Sequence, residues 1–87
     1  MSHIAVRYWA SARAAAGTAE DHLETGEPIA LTEVVRRVVD LHPGRLADVL
    51  AACSALVDDR PVGTADPAGV LVHPGESVEF LPPFAGG

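Results

Sequence analysis

A chain of 87 residues can bury only about 60–65% of the surface that it exposes when unfolded, which predicts one small domain, residues 1–87, with a modest core. Hydrophobic residues make up 48% and charged residues 21%, a globular balance that argues against disorder. Twelve acidic residues against six basic ones give a formal net charge of -6, which excludes the dense positive surface that nucleic-acid binding requires. An acidic surface favours a partner with a basic docking patch, although solubility explains the same charge.

A strand, a short helix and a second strand are predicted in the first part of the chain. Apolar and polar side chains alternate over residues 3–9, which is typical of a strand with one buried face. The alanine-rich residues 10–16 favour a helix, and Gly17 is placed to end it. Residues 21–24 predict a strand that pairs with the first one, although Leu23 is its one strongly apolar side chain.

The main helix is predicted in the middle of the chain. Thr32 offers its hydroxyl as an N-cap, Glu33 suits the positive end of the helix dipole, and apolar residues recur at helical spacing over residues 34–41. Four valines in this run have poor helix propensity, so packing must decide in favour of the helix. A Pro-Gly pair then breaks the run, and residues 45–53 predict a second short helix.

The second half of the chain predicts short strands separated by turns. In order, the segments are a strand (55–57), its turn (Asp58-Asp59), a short return strand (60–62), a loop (63–69), a short extended piece (70–73), a turn (74–77) and a last strand (78–81). This order predicts an α+β fold with a mixed sheet, in which one main helix is joined by short accessory helices.

The interior of the chain shows no catalytic or metal-binding pattern. The histidines stand apart without an i, i+3 or i, i+4 pair, which argues against a zinc site: His3, His22, His42 and His73. Cys53 has helical spacing from apolar neighbours and is interpreted as a small buried hydrophobe rather than a nucleophile. Asp58-Asp59 is interpreted as a solvated turn rather than a carboxylate pair. Without a phosphate-binding loop or a catalytic triad, the chain is not expected to be an enzyme by itself.

The sequence carries no targeting or membrane-spanning pattern. It has neither a charged-then-apolar leader nor a run of about 18 apolar residues. We therefore expect a cytoplasmic protein that binds no membrane.

Residues 82–87 predict a projecting tail. Pro82-Pro83 fixes φ and removes two N–H donors, so the preceding strand stops pairing there. Gly86-Gly87 has no Cβ and can thread a narrow channel that any side chain would block, which makes the terminal carboxylate the reactive group. A frayed terminus is the simpler alternative, but it leaves the apolar Phe84-Ala85 unexplained.

Both ends of the chain resemble one protein family. Residues 74–87 resemble the carboxyl end of the MoaD family, the small subunits of molybdopterin synthase, and less closely the sulfur carrier ThiS. Residues 6–10, followed by Arg13 and Gly17, are similar to the first strand and short helix of MoaD proteins. The resemblance implies a β-grasp (ubiquitin-like) fold, in which the first and last strands lie side by side and parallel at the centre of the sheet.

The same resemblance implies a function in molybdenum cofactor biosynthesis. In that family a MoeB-like enzyme uses ATP and Mg to adenylate the terminal carboxylate, here that of Gly87, and a persulfide donor supplies the sulfur that displaces AMP. The thiocarboxylate then enters a MoaE-like large subunit, where its sulfur passes to cyclic pyranopterin monophosphate. Gly86 and Gly87 are expected to be indispensable, because a side chain would crowd the channel and the reacting carbon. The chain itself is expected to bind no cofactor or metal.

Residues around the tail are the candidates for docking to these partners: Phe80, Leu81, Pro82, Pro83, Phe84 and Ala85. Core packing is the favoured interpretation of Phe80, whereas docking and core packing are both open for Leu81 and Phe84. The burial of these side chains decides between the two roles.

Other functions fit parts of the sequence. A ThiS-like carrier would deliver the same thiocarboxylate to thiamine or cysteine synthesis, although the Pro-Pro-Phe run favours the MoaD proteins. A ubiquitin-like protein modifier would be conjugated through Gly87 to lysines of other proteins and would form ladders of higher mass. A plain interaction module predicts that deletion of Gly86-Gly87 changes nothing.

Overall fold

The computed structural model describes residues 2–83, so Phe84, Ala85, Gly86 and Gly87 of the predicted tail lie outside the described residues. Within residues 2–83 the elements are β1 (His3–Tyr8), α1 (Ala10–Ala16), β2 (Glu20–Glu24), β3 (Ile29–Ala30), α2 (Leu31–Leu41), α3 (Leu46–Ala51), β4 (Ser54–Val57), β5 (Arg60–Pro61), a 3₁₀ turn (Pro67–Gly69), β6 (Leu71–Val72) and β7 (Ser77–Leu81). None of the helices in this part of the chain is long and apolar enough to span a membrane. The element order confirms the predicted α+β class.

The main sheet places the last strand at its centre. Its order is β2-β1-β7-β4-β5. β7 runs parallel to β1, where Val78 faces Val6, and antiparallel to β4, where Val78 faces Val57. β2 pairs with the other edge of β1 in the antiparallel direction, as predicted. The expected parallel pairing of the first and last strands is therefore confirmed.

The core lies between the sheet and α2. Alternation along β1 and β7 points Val6 and Val78 to this side, and both are 0% exposed. Val34 and Val38 lie one turn apart on α2 and are equally buried in the same cluster. Burial of a valine side chain stabilises the fold by about 1.5–3 kcal/mol, whereas its helix propensity is less than about 0.7 kcal/mol below that of alanine. The burial of these valines therefore outweighs their poor helix propensity, and the valine-rich segment forms a helix as predicted.

The start of α2 differs from the prediction. The helix begins at Leu31 with Ala30 as its N-cap, and no side chain caps it. The prediction that Thr32 is the N-cap is wrong. The first amide of the helix, that of Leu31, instead donates to the carbonyl of Val70 at 2.8 Å, and the Leu31 side chain is only 3% exposed. A tertiary contact thus replaces the side-chain cap.

A small second sheet pairs β3, which was not predicted, with β6, which lies in the extended piece predicted over residues 70–73. Ile29 pairs with Val72 in the antiparallel direction. Two-residue strands are too short to show a periodic pattern, and these two lie far apart in the chain. The 3₁₀ turn was also not predicted within the loop, although the Asp66 carboxylate caps it by accepting from the Ala68 amide at 3.0 Å.

Candidate functional site

β7 leads directly into the predicted tail and is paired on both sides up to its end. Ser54 of β4 pairs with Leu81, and the Trp9 amide beyond β1 donates to the Phe80 carbonyl at 3.2 Å. The two prolines that follow have no N–H with which to continue the pairing. The chain therefore leaves the sheet at a point that is held from both sides.

Phe80 belongs to the core beneath this exit. It is only 3% exposed, and its ring stacks on that of Tyr8 with centroids 6.4 Å apart and an angle of 13° between the planes. The core interpretation that was favoured for Phe80 is confirmed, because so enclosed a side chain offers almost no surface to a partner. Its contribution to the site is to anchor the end of β7.

The next three residues lie nearer the surface. Leu81 and Pro82 are half-buried, and Pro83 is exposed. Leu81 lies on the opposite face of the sheet from Phe80, because successive strand side chains alternate. We call this face, away from α2, the outer face. Docking by these three residues stays a prediction, as it does for Phe84 and Ala85 outside the described residues.

Trp9 is a candidate docking residue that the sequence analysis did not single out. Its side chain is 51% exposed. The indole Nε1 donates to the carboxylate of Glu79 at 3.0 Å, which places the ring on the outer face that Leu81 shares. A signal was available in the sequence, because a large aromatic residue at the polar-face position of an alternating strand is exposed unless another molecule covers it.

The backbone that follows Trp9 is strained. Ala10 has a φ of 50°, in the left-handed region where a residue with a Cβ is disfavoured by roughly 1–2 kcal/mol. The Trp9 carbonyl accepts the first bonds of α1, from the amides of Ala12 at 3.0 Å and Arg13 at 3.4 Å. These bonds offset the strain, so a well-defined turn rather than a loose loop presents the indole.

Apolar side chains surround Glu79 on the outer face where the chain leaves the sheet. Leu56 of β4 pairs with Glu79, which places its half-buried side chain on this face. Trp9, Leu56 and Leu81 share this face, and we call them the exit patch. An exposed aromatic residue among half-buried aliphatic ones is the usual composition of a binding hot spot.

The half of the outer face on β1 and β2 is charged instead. Arg7 Nε lies 3.1 Å from one carboxylate oxygen of Glu20, and His22 Nε2 lies 2.7 Å from the other. The Arg7 guanidinium holds the pKa of Glu20 below its ordinary value. These exposed groups already pair with one another, so they contribute little to stability and keep this half of the face hydrated.

A polar network inside the fold joins three residues that the sequence analysis did not connect. The Tyr8 hydroxyl donates to Asp21 Oδ2 at 2.7 Å, and His42 Nε2 lies 2.6 Å from the same oxygen. Burial, followed by the contact with Asp21, raises the pKa of Tyr8. Because Tyr8 is only 2% exposed, it cannot reach a substrate. The network instead ties the end of α2 to β1 and β2.

The other residues considered in the interior behave as structural groups. Cys53 is half-buried with its Sγ 3.3 Å from the Val49 carbonyl, and burial raises the pKa of the thiol, which disfavours the nucleophilic thiolate. Asp58 and Asp59 are exposed with φ values of 51° and 68°, which confirms the solvated turn. Among residues 2–83, no group of three His, Cys, Asp or Glu side chains is arranged to hold a metal ion.

Comparison with known proteins finds similarity over nearly the whole chain. The model of the ThiS family matches residues 6–87. The molybdopterin synthase sulfur carrier subunit of Aspergillus niger is 28% identical over 82 residues, which are 94% of this chain and 91% of that protein.

Solved structures share the fold at lower sequence identity. Small archaeal modifier protein 1 from Haloferax volcanii superposes with a TM-score of 0.80 at 15% identity, covering 98% of this chain and 99% of that one. A chain of the complex of subunits 1 and 2 of molybdopterin-converting factor from Helicobacter pylori superposes with a TM-score of 0.65 at 19% identity, covering 98% and 99%. These likenesses confirm the expected β-grasp, ubiquitin-like fold.

Proposed function

This chain belongs to the ThiS family, and from that premise we propose that it is a sulfur carrier whose Gly87 carboxylate becomes a thiocarboxylate. The observation that supports this most directly is the position of β7. It is the central strand of the sheet, paired on both sides, and it leads straight into Pro82-Pro83 and the segment that ends in Gly86-Gly87. A rigid strand that leads to a terminal pair of residues without side chains suits the presentation of a backbone carboxylate to another protein.

The carboxylate must be activated before it can accept sulfur. Its negative charge is shared by both oxygens, which makes the carbon a poor electrophile. A MoeB-like adenylating partner would use ATP and Mg to form an acyl-adenylate and pyrophosphate. Hydrosulfide would then displace AMP and leave the thiocarboxylate, whereas a persulfide donor would in addition need a thiol to cleave its S–S bond. In this scheme the chain supplies the Gly87 carboxylate and its partners supply the catalysis.

The proposed acceptor is cyclic pyranopterin monophosphate, bound by a MoaE-like large subunit. The name of the Aspergillus niger relative supports this choice, as does the Helicobacter pylori complex, which pairs two subunits of molybdopterin-converting factor. The exit patch would dock on the large subunit beside the entrance that receives residues 82–87. Leu81, Pro82 and Pro83 would contact the rim of that entrance, and Phe84 and Ala85 would enter it.

The experiment that tests the proposal is intact-mass analysis of the chain after incubation with ATP, Mg, a MoeB-like enzyme and sulfide. We expect a mass gain that equals one sulfur minus one oxygen, located at Gly87. A chain that lacks Gly87 should show no gain. An unchanged mass, with an enzyme that loads its own carrier under the same conditions, would show that Gly87 is not its substrate.

A pair of glycine variants separates tail chemistry from folding. Gly86→Val adds a branched side chain beside the reacting carbon and should reduce sulfur loading to background. Gly26→Val is the control, because a Cβ at Gly26 meets no atom within 4 Å and its backbone suits any residue. Ladders of conjugates on other proteins, with no sulfur transfer to the pyranopterin, would favour the modifier function instead.

A further inference from the structure

One carboxylate, that of Glu79, stands among the apolar side chains of the exit patch, and the carrier function proposed above assigns it no role. Glu79 pairs in register with Arg7 of β1 on one side and with Leu56 of β4 on the other. Its side chain therefore shares the outer face with Leu56, and also with Leu81 two residues further along β7. A charged group is thus placed within a surface that is otherwise suited to apolar contact.

The Glu79 carboxylate is only partly paired within the chain. Its Oε1 accepts from Trp9 Nε1 at 3.0 Å. Within residues 2–83, no donor reaches its Oε2 and no cation pairs with it, since Arg7 pairs with Glu20 instead. Solvent reaches Oε2, because every buried side-chain oxygen in the described part of the chain has a hydrogen-bond partner. Trp9 therefore orients the carboxylate, and Oε2 is free to accept from another molecule.

The cost of covering Glu79 restricts the chemistry of a docking partner. An apolar surface that docked on the exit patch would remove water from the carboxylate. A carboxylate that is buried without a counter-charge costs several kcal/mol, which would offset much of the gain from the apolar contact. A cationic donor that reaches Oε2 removes this penalty and adds a charge-assisted hydrogen bond.

We propose that Glu79 determines which partner the exit patch accepts, by selecting a surface that presents an arginine side chain among apolar groups. A planar guanidinium fits this site, because it can donate to Oε2 of Glu79 while its face lies against the exposed indole of Trp9. The excess of acidic residues, twelve against six basic ones, favours the approach of such a surface. The identity of the partner as the MoaE-like large subunit rests on the proposed function.

Titration calorimetry of the full chain, not loaded with sulfur, against a MoaE-like subunit tests the proposal. Glu79→Gln keeps an oxygen that can accept from Trp9 but removes the charge, so binding should weaken at least about tenfold. Glu27→Gln is the matched control, because it changes the net charge equally. Its loop lies beside the start of β1, where the Thr25 amide donates to the Ser2 carbonyl at 3.3 Å, whereas Trp9 follows the end of β1. The control should bind within about twofold of the wild type.

A leucine variant separates an arginine partner from a purely apolar one. Glu79→Leu would strengthen binding to an apolar surface, because it adds apolar contact area. With an arginine opposite, the same variant leaves a desolvated guanidinium unpaired, so binding should weaken at least as much as in Glu79→Gln. Tighter binding by Glu79→Leu would overturn the proposal, and so would equal affinities of Glu79→Gln and Glu27→Gln. Thermal melting establishes that each variant is folded before the affinities are compared.

The salt dependence of binding gives a readout that a change in packing alone would not alter. Added NaCl should weaken wild-type binding more steeply than binding of Glu79→Gln, because the variant lacks the ion pair that salt screens. Glu27→Gln should keep the wild-type dependence. Identical salt dependences of the wild type and Glu79→Gln would contradict an ion pair at Glu79.

A final measurement locates the contact. Trp9 is the only tryptophan of the chain, so an isotope-labelled carrier gives one indole N–H signal even beside an unlabelled partner. This signal should shift when the large subunit binds. An unchanged signal at saturation, or no binding by the wild-type chain, would overturn the proposal. Failure of sulfur loading would leave these measurements unaffected, because they use the unloaded chain, so it can be told apart from a failure of the role of Glu79.

Discussion

The two ends of β7 are held in different ways. At its start, the Ser77 carbonyl accepts from the Asp58 amide at 2.8 Å. The neighbouring Glu76 carboxylate accepts from the His73 amide at 2.7 Å and pairs with Arg60 at 3.1 Å. Turns, hydrogen bonds and ion pairs therefore close this end of the sheet.

At its far end, β7 is held by apolar contacts and then leaves the sheet. Phe80 anchors the strand from beneath, while the exit patch remains partly exposed on the outer face. An apolar groove, lined by Phe80 together with Val35 and Leu50, opens on the other side of the same strand end. Polar groups at the start of β7 are thus satisfied by partners within this chain. The apolar surface at the end of β7 remains available for contact with another molecule.

The largest expected effect comes from Phe80→Ala, which removes the anchor of the exit. We expect the free energy of unfolding to fall by about 3–5 kcal/mol, because a buried ring is lost and a cavity is left. Leu81→Ala is the matched control on the opposite face. Truncation of this half-buried side chain should lower the free energy of unfolding by about 1 kcal/mol. Urea denaturation followed by circular dichroism measures both variants. Equal losses would refute the assignment of Phe80 to the core and Leu81 to the surface.

Trp9→Ala tests the exit patch as a binding surface. Loss of a central aromatic contact should weaken binding to a MoaE-like subunit by about 30-fold, or about 2 kcal/mol, while stability changes by less than about 1 kcal/mol. The control is Leu71→Ala, since Leu71 is 55% exposed but lies in β6, outside the exit patch. Titration calorimetry gives the two affinities. If both variants bind equally well, the exit patch is not the docking surface.

Glu76→Gln tests the polar contacts at the start of β7 through the pH dependence of the stability of the fold. The hydrogen bond from the His73 amide, followed by smaller contributions from His73 and Arg60, lowers the pKa of Glu76 in the folded state. Its stabilising contribution is therefore present above the unfolded pKa of about 4.3 and is lost as the pH falls through the lower folded value.

The glutamine variant should be about 1 kcal/mol less stable than the wild type at pH 7, because a charge-assisted hydrogen bond is weakened. This difference should shrink as the pH falls below about 4.3. Denaturation midpoints between pH 7 and pH 3 measure it, with Glu27→Gln in an exposed loop as the control. A difference that stays constant over this range would contradict the assigned role.

The smallest effect is expected from Asp59→Gly, in the turn next to the start of β7. Asp59 has a φ of 68°, in the left-handed region that glycine adopts without strain. Asp59→Gly should stabilise the fold by up to about 0.5 kcal/mol, because both central residues of a two-residue hairpin turn need positive φ. Asp59→Ala should destabilise by about 1 kcal/mol, since alanine tolerates this region poorly. Melting temperatures that shift in the same direction for both variants would argue against the strain.

Much of the fold could be predicted because its main elements carry local signals. Alternation identified β1. Gly17 ends α1 as expected, with a φ of 76° and a hydrogen bond from its amide to the Arg13 carbonyl. Where tertiary contacts replaced local ones, prediction failed. The N-cap at Thr32 is wrong because a contact with Val70 satisfies the first amide of α2.

The candidate site was predicted less completely. Residues 82–87 stood out because proline and glycine act through their own backbone geometry, whatever surrounds them. Trp9 was missed because its importance depends on which neighbours leave it exposed. The groove was missed for the same reason, since its walls come from segments that are distant in the chain.

Local features of the chain were enough to predict the family resemblance and the order of the main strands and helices, because periodicity and backbone chemistry need no distant partner. The tail stays a prediction from the same features. Packing between distant segments settled that a valine-rich segment is a helix and that Phe80 is buried while Trp9 is not. It also brought Tyr8, Asp21 and His42 together at one oxygen. The free energy gained by burying such side chains exceeds the differences in helix propensity. Contacts between distant residues also produce no periodic pattern in the sequence.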